Sequence, residues 1–314
     1  MLSYLLPLEE GKCRKEEGKA ILDFRAGESF IDFSYKNNSK EFDEIKETIA
    51  ALITNTDTQI TGIHITGYAS PEGKYYENEQ LARVRALSAR NYLKKSFSLD
   101  SKLFSTSYVA EDWDGLVDLI KPSSLQHKDE VLKIISSVGI HEGRETDLMN
   151  LRGGRPYLFM VKEFSPQLCR VEYSINYTVR DYSFAETQNI LESSSYLLSH
   201  LELYTLAETM DKSSDKYTNI MLNVIPRQFR DDPIANNNAA ALLLEQGDVT
   251  AANTYLENAG INAASLNNWG VYHLLQDNFS QAESFFKRAE SIGSEDAIQN
   301  LIELYKRYKK NQQL

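Results

Sequence analysis

The fold is decided by Gly62-Ile-His-Ile-Thr-Gly-Tyr-Ala-Ser-Pro-Glu-Gly73 and by the segment that continues from it to Leu93. In its first part, Ile63 and Ile65 alternate with polar residues, which is the two-residue period of a half-buried strand. Gly and Pro then interrupt this alternation, so a loop follows the strand. Between Tyr75 and Leu93 there is no Gly or Pro, and Leu, Ala and Arg are frequent, which is typical of a helix. The stretch therefore predicts a strand, a Gly-rich loop and a helix in that order.

Arg85 is predicted to lie on the packed side of this helix. At about 100° per residue, Arg83 and Arg90 fall together on the solvent side. Arg85 falls nearly opposite them and shares a face with Asn78. A cation on a packed face needs a partner, because the burial of an unpaired charge is costly. Two interpretations stay open: an Arg that pins the loop or a carboxylate, and an Arg that binds an anionic ligand beside the loop. Physical chemistry alone favours the first.

These residues also carry a resemblance to a known family. Gly67-Tyr-Ala-Ser-Pro-Glu-Gly73 with Asn78 and Arg85-Ala resembles the OmpA-like, peptidoglycan-associated domain. In that family a strand ends in Gly-(Tyr/His)-Thr-Asp, and the next helix contains Asn-x-x-Leu-Ser-x-x-Arg-Ala. The spacing from Ser70 to Asn78 to Arg85 is that of the family's Asp, Asn and Arg. The resemblance spans about residues 18–180 with interruptions, and the Ala-Ser-Pro-Glu-Gly form is similar to Bacteroides-type envelope and fimbria-cluster proteins.

The resemblance implies an α+β fold class, with an OmpA-like α/β sandwich in which a mixed sheet carries helices on one face. We predict a linker over residues 1–17, the OmpA-like domain over 18–182 and a helical insertion within it over about 104–165. Alternating or apolar runs predict strands over 19–25, 29–35, 60–68, 105–109 and 171–179. Helical spacing predicts helices over 40–53, 75–93, 113–120, 128–137, 145–151 and 156–163.

The resemblance also implies a ligand site beside the loop, made of Ser70, Glu72, Asn78 and Arg85, with Arg170 assisting from the last strand. In the family, the Asp holds the amine of diaminopimelate in the peptidoglycan stem peptide, and the Arg binds a carboxylate. Ser70 stands where the family has Asp, and Glu72 is placed to supply the missing charge if the loop turns it inward. The implied function is anchoring to peptidoglycan. The alternative is an envelope or fimbrial assembly scaffold that has lost peptidoglycan binding.

The strand signal ends near Ser183, and a repeat replaces it. Small and aromatic residues recur at an offset of 30 residues, where Ala240, Gly247, Ala252, Leu256 and Ala259 match Gly270, Asp277, Ala282, Phe286 and Ala289. This pattern resembles tetratricopeptide repeats, whose usual period is ~34 residues. The resemblance implies an all-α tetratricopeptide-like domain over 183–314 that binds envelope or fimbrial proteins. We expect Trp269 to be largely buried between its helices.

The composition sets limits on partners and location. The chain has 314 residues, which predicts two domains, and 45 acidic against 34 basic residues give it a net charge of -11. Without a Lys/Arg stripe, nucleic-acid binding is disfavoured. No run of 18 apolar residues occurs, which predicts no membrane-spanning segment. Since no export signal is recognisable in the chain, the family resemblance predicts that one lies outside it. The expected location is then the periplasm, in association with the outer membrane.

Catalytic and metal-binding motifs are not recognisable. The five His residues are scattered, and there is no Gly-x-Ser-x-Gly, P-loop or His-Glu-x-x-His motif. We therefore expect a binding protein rather than an enzyme, without a cofactor or a metal. Cys13 and Cys169 are the two cysteines. They either pair in an oxidising envelope or remain two separate thiols, and the sequence does not decide between these states.

Overall fold

The computed structural model describes residues 1–8, 11–23 and 30–311, with side chains as far as residue 308. The chain forms two compact units. One runs from Cys13 to Arg180 and contains a four-stranded mixed sheet with helices. The other combines residues 1–12 with the chain from Asp181 onward and is helical. The predicted fold class, an α/β sandwich followed by an all-α part, is confirmed.

The sheet has the order β1-β4-β2-β3. Its strands are β1 (Cys13–Ile21), β2 (Thr58–Tyr68), β3 (Phe104–Val109) and β4 (Arg170–Val179). Strand β4 is antiparallel to both of its neighbours, and β2 runs parallel to β3. The loops that follow β2 and β3 therefore leave the sheet at the same edge, next to the start of β4.

Two helices cover one face of the sheet. The helices between the strands are α1 (Asn38–Glu41), α2 (Asp43–Thr54) and α3 (Tyr75–Phe97). Ile63 and Ile65 of β2 are buried, as their alternation predicted. Strand β2 and helix α3 come so close that a Cβ on Gly67 would lie 2.0 Å from the carbonyl oxygen of Ala82. The absence of a side chain at Gly67 thus fixes where α3 lies, and with it the position of Arg85.

Five helices form the insertion between β3 and β4. They are α4 (Trp113–Ile120), α5 (Lys128–Ser137), α6 (Arg144–Asn150), α7 (Arg155–Glu163) and α8 (Ser165–Leu168). The predicted helices over 113–120, 128–137 and 156–163 are confirmed. Their apolar faces share one buried cluster, to which Trp113, Leu116, Val131, Leu148, Met160 and Leu168 belong.

The first strands differ from the prediction. Strand β1 begins at Cys13, inside the segment predicted as a linker, and ends at Ile21. The predicted strand over 29–35 is wrong for the part that the structure describes, since residues 30–35 contain no strand. The predicted turn at Gly27 and the rest of 24–29 lie outside the described residues.

Backbone pairing explains both differences. The charged sequence of β1 has little strand propensity, but every residue of β1 pairs with β4. The apolar residues read as a second strand pack instead on the helices. Phe33 stacks on Tyr92 of α3, with ring centroids 3.7 Å apart. Residues 1–12 belong to the helical unit, so the predicted linker is wrong there as well.

The helical unit continues with nine helices in the described part of the chain. They are α9 (Phe184–Ser194), α10 (His200–Glu208), α11 (Asp215–Asn219), α12 (Ile225–Gln228), α13 (Pro233–Glu245), α14 (Val249–Asn258), α15 (Ala263–Leu275), α16 (Phe279–Ser291) and α17 (Glu295–Asn311). A π-helical turn, Ile220–Val224, joins α11 to α12. Gly270 lies directly on the ring of the fully buried Phe286. Trp269 is only half-buried, contrary to the prediction, and stacks on Phe285 with centroids 5.8 Å apart.

The two cysteines lie at opposite ends of the β1–β4 pair. Cys13 is opposite Thr178, whereas the carbonyl of Cys169 accepts a hydrogen bond from Leu22 at the other end. Nine residues of extended chain separate Cys13 from Leu22, which is ~30 Å at ~3.3 Å per residue. A disulfide needs Cα atoms within about 7 Å. Both thiols are free, so they do not pair within the chain.

Candidate functional site

The loop between β2 and α3 is tied to the loop that follows β3. The N–H of Ala69 donates to the carbonyl of Val109 over 3.1 Å. The carbonyl of Ala69 accepts from the N–H of Asp112 over 3.0 Å. Because β2 and β3 are parallel, both strands end here, and such edges often form ligand crevices in α/β proteins. The sequence-predicted site residues surround this loop.

Arg85 is buried, as predicted, with 4% of its surface exposed. Its Nη1 donates to the carbonyl of Tyr68 over 2.6 Å, so the side chain pins the last residue of β2. Burial lowers the pKa of the guanidinium, and the neighbouring Cys169 and Glu72 oppose that change. The contacts of Arg85 therefore match the structural interpretation: the side chain holds the loop in place from the packed face of α3.

Asn78 and Glu72 are joined to each other. The Nδ2 of Asn78, which is buried, donates to the backbone carbonyl of Glu72 over 2.9 Å. The carboxylate of Glu72 accepts a hydrogen bond of 2.7 Å from the hydroxyl of Ser165, at the start of α8. Ser70 is also buried, and its Oγ lies 3.7 Å from the Sγ of Cys169. Ser70, Glu72, Asn78 and Arg85 are thus brought together, but two residues outside the predicted set contact them.

The inserted helices cover the loop. The N–H of Gly73 donates to Glu145 of α6 over 3.0 Å, and the same carboxylate oxygen accepts from Tyr157 of α7 over 2.5 Å. The cavity that remains beside Pro71 and Glu72 has a volume of only ≈ 20 Å³. That is about the space of one water molecule. The four residues form a closed polar cluster under α6, α7 and α8 and not the open concave pocket that the loop geometry had suggested.

Arg170 lies beside this cluster and is paired with two carboxylates. Its Nη1 bonds to the buried Asp112, and its Nε donates to Glu172 over 2.7 Å. Its guanidinium stacks on the ring of Tyr68, 4.0 Å from the centroid. Burial, followed by the hydrogen bond that the Tyr68 hydroxyl donates to Glu172, raises the pKa of Tyr68 to about 12. Arg170 therefore serves to join the ends of β2 and β4 to the start of α4.

The contacts with Ser165, Cys169 and Asp112 were missed by the sequence analysis. Asp112 carried a usable signal, since it precedes the predicted helix over 113–120 and accepts from the N–H of Gly115 as an N-cap. Ser165 and Cys169 carried none, because a helical period does not reveal which loop a helix will cover. Within the described residues, no group of three His, Cys, Asp or Glu side chains could hold a metal ion. No helix in that part of the chain is long and apolar enough to cross a membrane.

Comparison with protein families supports the first part of the resemblance. The OmpA family model matches residues 24–116, which include the loop, Asn78 and Arg85. This match supports an OmpA-like domain and, through it, an association with the cell envelope and peptidoglycan. Domains of this family are generally non-enzymatic binding modules. No curated protein matches the chain.

Proposed function

We propose that this chain is a non-enzymatic scaffold of the cell envelope, whose OmpA-like unit keeps the Asn78 and Arg85 pair in a site that its own insertion closes. The single observation that carries this proposal is the contact of Ser165 with Glu72. It puts a residue of α8 on the side chain that would have to hold the ligand amine. The function is then the alternative to peptidoglycan anchoring that the loop sequence left open.

Energetics support the closed state as the resting one. A bound stem-peptide carboxylate would form a bidentate pair with Arg85, but it would have to displace the bond from Arg85 to the Tyr68 carbonyl. It would also have to enter a space of ≈ 20 Å³, which is too small for a carboxylate and its side chain. Access therefore requires α8 to leave the loop, which breaks the Ser165–Glu72 bond and exposes the buried Leu168.

Peptidoglycan anchoring is the second candidate, and one observation favours it. Asn78 and Arg85 keep the family's spacing and meet at the same loop, as a site for the diaminopimelate stem peptide would require. Glu72 lies two residues from the position of the family's Asp and is ionisable. In this candidate, displacement of α8 opens a site in which Glu72 holds the ligand amine and Arg85 the carboxylate, with Ser70 lining it.

The helical unit supplies the partner-binding part of this proposal. Two successive helix pairs, α13–α14 and α15–α16, follow the offset of 30 residues found in the sequence, which supports tetratricopeptide-like repeats. Each pair buries its apolar side only against a neighbour, and such stacks present extended binding surfaces. We propose that this unit binds envelope or fimbrial proteins, in the periplasm and in association with the outer membrane.

Binding of a diaminopimelate-containing muropeptide to the intact chain tests the proposal. Arg85→Lys keeps the charge but loses the bidentate geometry, and Arg83→Lys on the exposed side of the same helix is its matched control. A scaffold with a closed site gives no saturable binding to any of the three proteins. Saturable binding by the wild type and by Arg83→Lys, lost in Arg85→Lys, would establish peptidoglycan anchoring instead.

A further inference from the structure

Buried asparagines line one groove of the helical unit. They lie on α13, α15 and α17, and we call the surface that they form the asparagine groove: Asn237, Asn238, Asn267, Asn268 and Asn300. The first four are at most 1% exposed. Asn237-Asn238 and Asn267-Asn268 are separated by 30 residues, the same offset as the repeat. Equivalent positions of successive helix pairs thus carry the same polar side chain, although burial of five amides is costly unless all are hydrogen-bonded.

Residues 1–6 of the chain occupy this groove in an extended conformation. The N–H of Ser3 donates to Oδ1 of Asn268 over 2.8 Å, and the Nδ2 of the same asparagine donates to the Ser3 carbonyl over 2.8 Å. Leu5 repeats this pattern with Asn238, at 2.8 and 2.6 Å. An amide side chain has both a donor and an acceptor, so one asparagine satisfies both backbone groups of one residue. Residues two apart in an extended chain face the same side.

The asparagines are held in position by one another. Nδ2 of Asn268 donates to Oδ1 of Asn237 over 3.0 Å, and Nδ2 of Asn300 donates to Oδ1 of Asn267 over 2.8 Å. These bonds run from one helix pair to the next and fix which end of each amide faces the groove. The donors and acceptors for a main chain are therefore already oriented, which lowers the entropic cost of binding one.

Recognition falls mainly on the main chain. Ser3 is the only buried residue among the first eight, and its hydroxyl donates to Asp296 over 2.6 Å and accepts from Asn267 over 2.9 Å. Leu6 and Leu8 are exposed. Contacts of this kind bind extended segments with little dependence on side chains, as strand addition to a sheet edge does. The groove thus selects an extended segment with a small hydroxyl residue at one position.

We propose that the asparagine groove is a receptor site for an extended polypeptide, with residues 1–6 as its resident ligand, and that the same segment of a second copy exchanges into it. The second copy carries the one sequence known to satisfy every amide of the groove. The resident segment is covalently attached, so it competes at high effective concentration until a second chain is present in quantity. The inference rests on the proposed scaffold function and names the chemistry of its contacts. It shares no residue with the muropeptide test, so either proposal can fail alone.

A labelled peptide of residues 1–8 tests the receptor site in the full-length chain. In Ser3→Pro/Leu5→Pro, the resident segment loses both N–H groups that donate to the groove. We expect this variant to bind the peptide saturably and at least tenfold more tightly than the wild type, since competition is weakened. Further replacement Asn268→Ala should weaken binding at least tenfold. Asn258→Ala, on the exposed side of α14, should not change it.

Peptide variants make the test independent of protein folding. A peptide with Pro at positions 3 and 5 should not bind, whereas one with Ala at positions 6 and 8 should bind as the parent does. Failure of the Ser3→Pro/Leu5→Pro chain to bind the parent peptide, or equal binding of the Pro peptide, would overturn the receptor site.

Complementation between chains tests the exchange. One chain carries Asn238→Ala/Asn268→Ala and offers an intact segment, and the other carries Ser3→Pro/Leu5→Pro and offers an intact groove. Sedimentation should find each variant monomeric alone and a heterodimer in the mixture. A mixture that remains monomeric at concentrations that saturate peptide binding would overturn exchange between copies.

Discussion

Replacement of Gly67 by Ala tests the close contact that positions the candidate site. The added Cβ would lie 2.0 Å from the Ala82 carbonyl oxygen and 2.8 Å from the Ala86 nitrogen, both in the backbone of α3. Real Cβ atoms essentially never come within 3.0 Å of such atoms, so α3 must move away from β2 by about 1 Å. Overpacking typically costs about 1–3 kcal/mol, and we expect about 3 kcal/mol here because no flexible side chain can yield.

Gly62→Ala is the matched control in the same strand. The nearest atom to its added Cβ is the Asn176 side-chain nitrogen at 3.9 Å, an ordinary contact. Ala at that position should be neutral or stabilise slightly, because it reduces the entropy of the unfolded chain. Guanidinium unfolding of the full-length chain, followed by Trp113 fluorescence in a Trp269→Phe background, measures the unit that contains both glycines. A Gly67→Ala change within 0.5 kcal/mol of Gly62→Ala would refute the reasoning, since ~0.5 kcal/mol is the usual surface effect.

Three further predictions concern other parts of the chain. Phe286→Ala should lower the unfolding free energy of the helical unit by about 3–5 kcal/mol, measured by Trp269 fluorescence, because Phe286 is fully buried beneath Gly270. Since the folded pKa of Tyr68 is raised to about 12, above the ordinary 10.0, its contribution to stability is complete below pH 10.0 and is lost as the pH rises through 12. Tyr68→Phe should remove that part of the alkaline loss in unfolding experiments. Alkylation of the native protein followed by mass spectrometry should label the exposed Cys13 before Cys169 and find no disulfide between them.

Local patterns in the sequence determined most of the elements and the residues of the candidate site. The alternation in β2, the helical spacing in α4, α5 and α7, and the alternation in β4 each report which face of an element is apolar. The same logic put Arg85 on the packed face of α3, where it lies. The spacing from Ser70 to Asn78 to Arg85 brought these residues to one loop, because a strand, a short loop and a helix are connected directly.

Tertiary structure alone decided what covers that loop and what fills the asparagine groove. Ser165 reaches Glu72 across 93 residues, and the Ser3 backbone meets Asn268 across 265. A period identifies an apolar face but not the surface that it will meet, so the closure by α8 has no local signature. Strand β1 and residues 1–6 are held through their main chains, and backbone N–H and carbonyl groups are the same in every sequence apart from proline. Segments that bind in this way cannot be recognised from their own side chains, and the repeated asparagines opposite them were the one sequence signal of such a site.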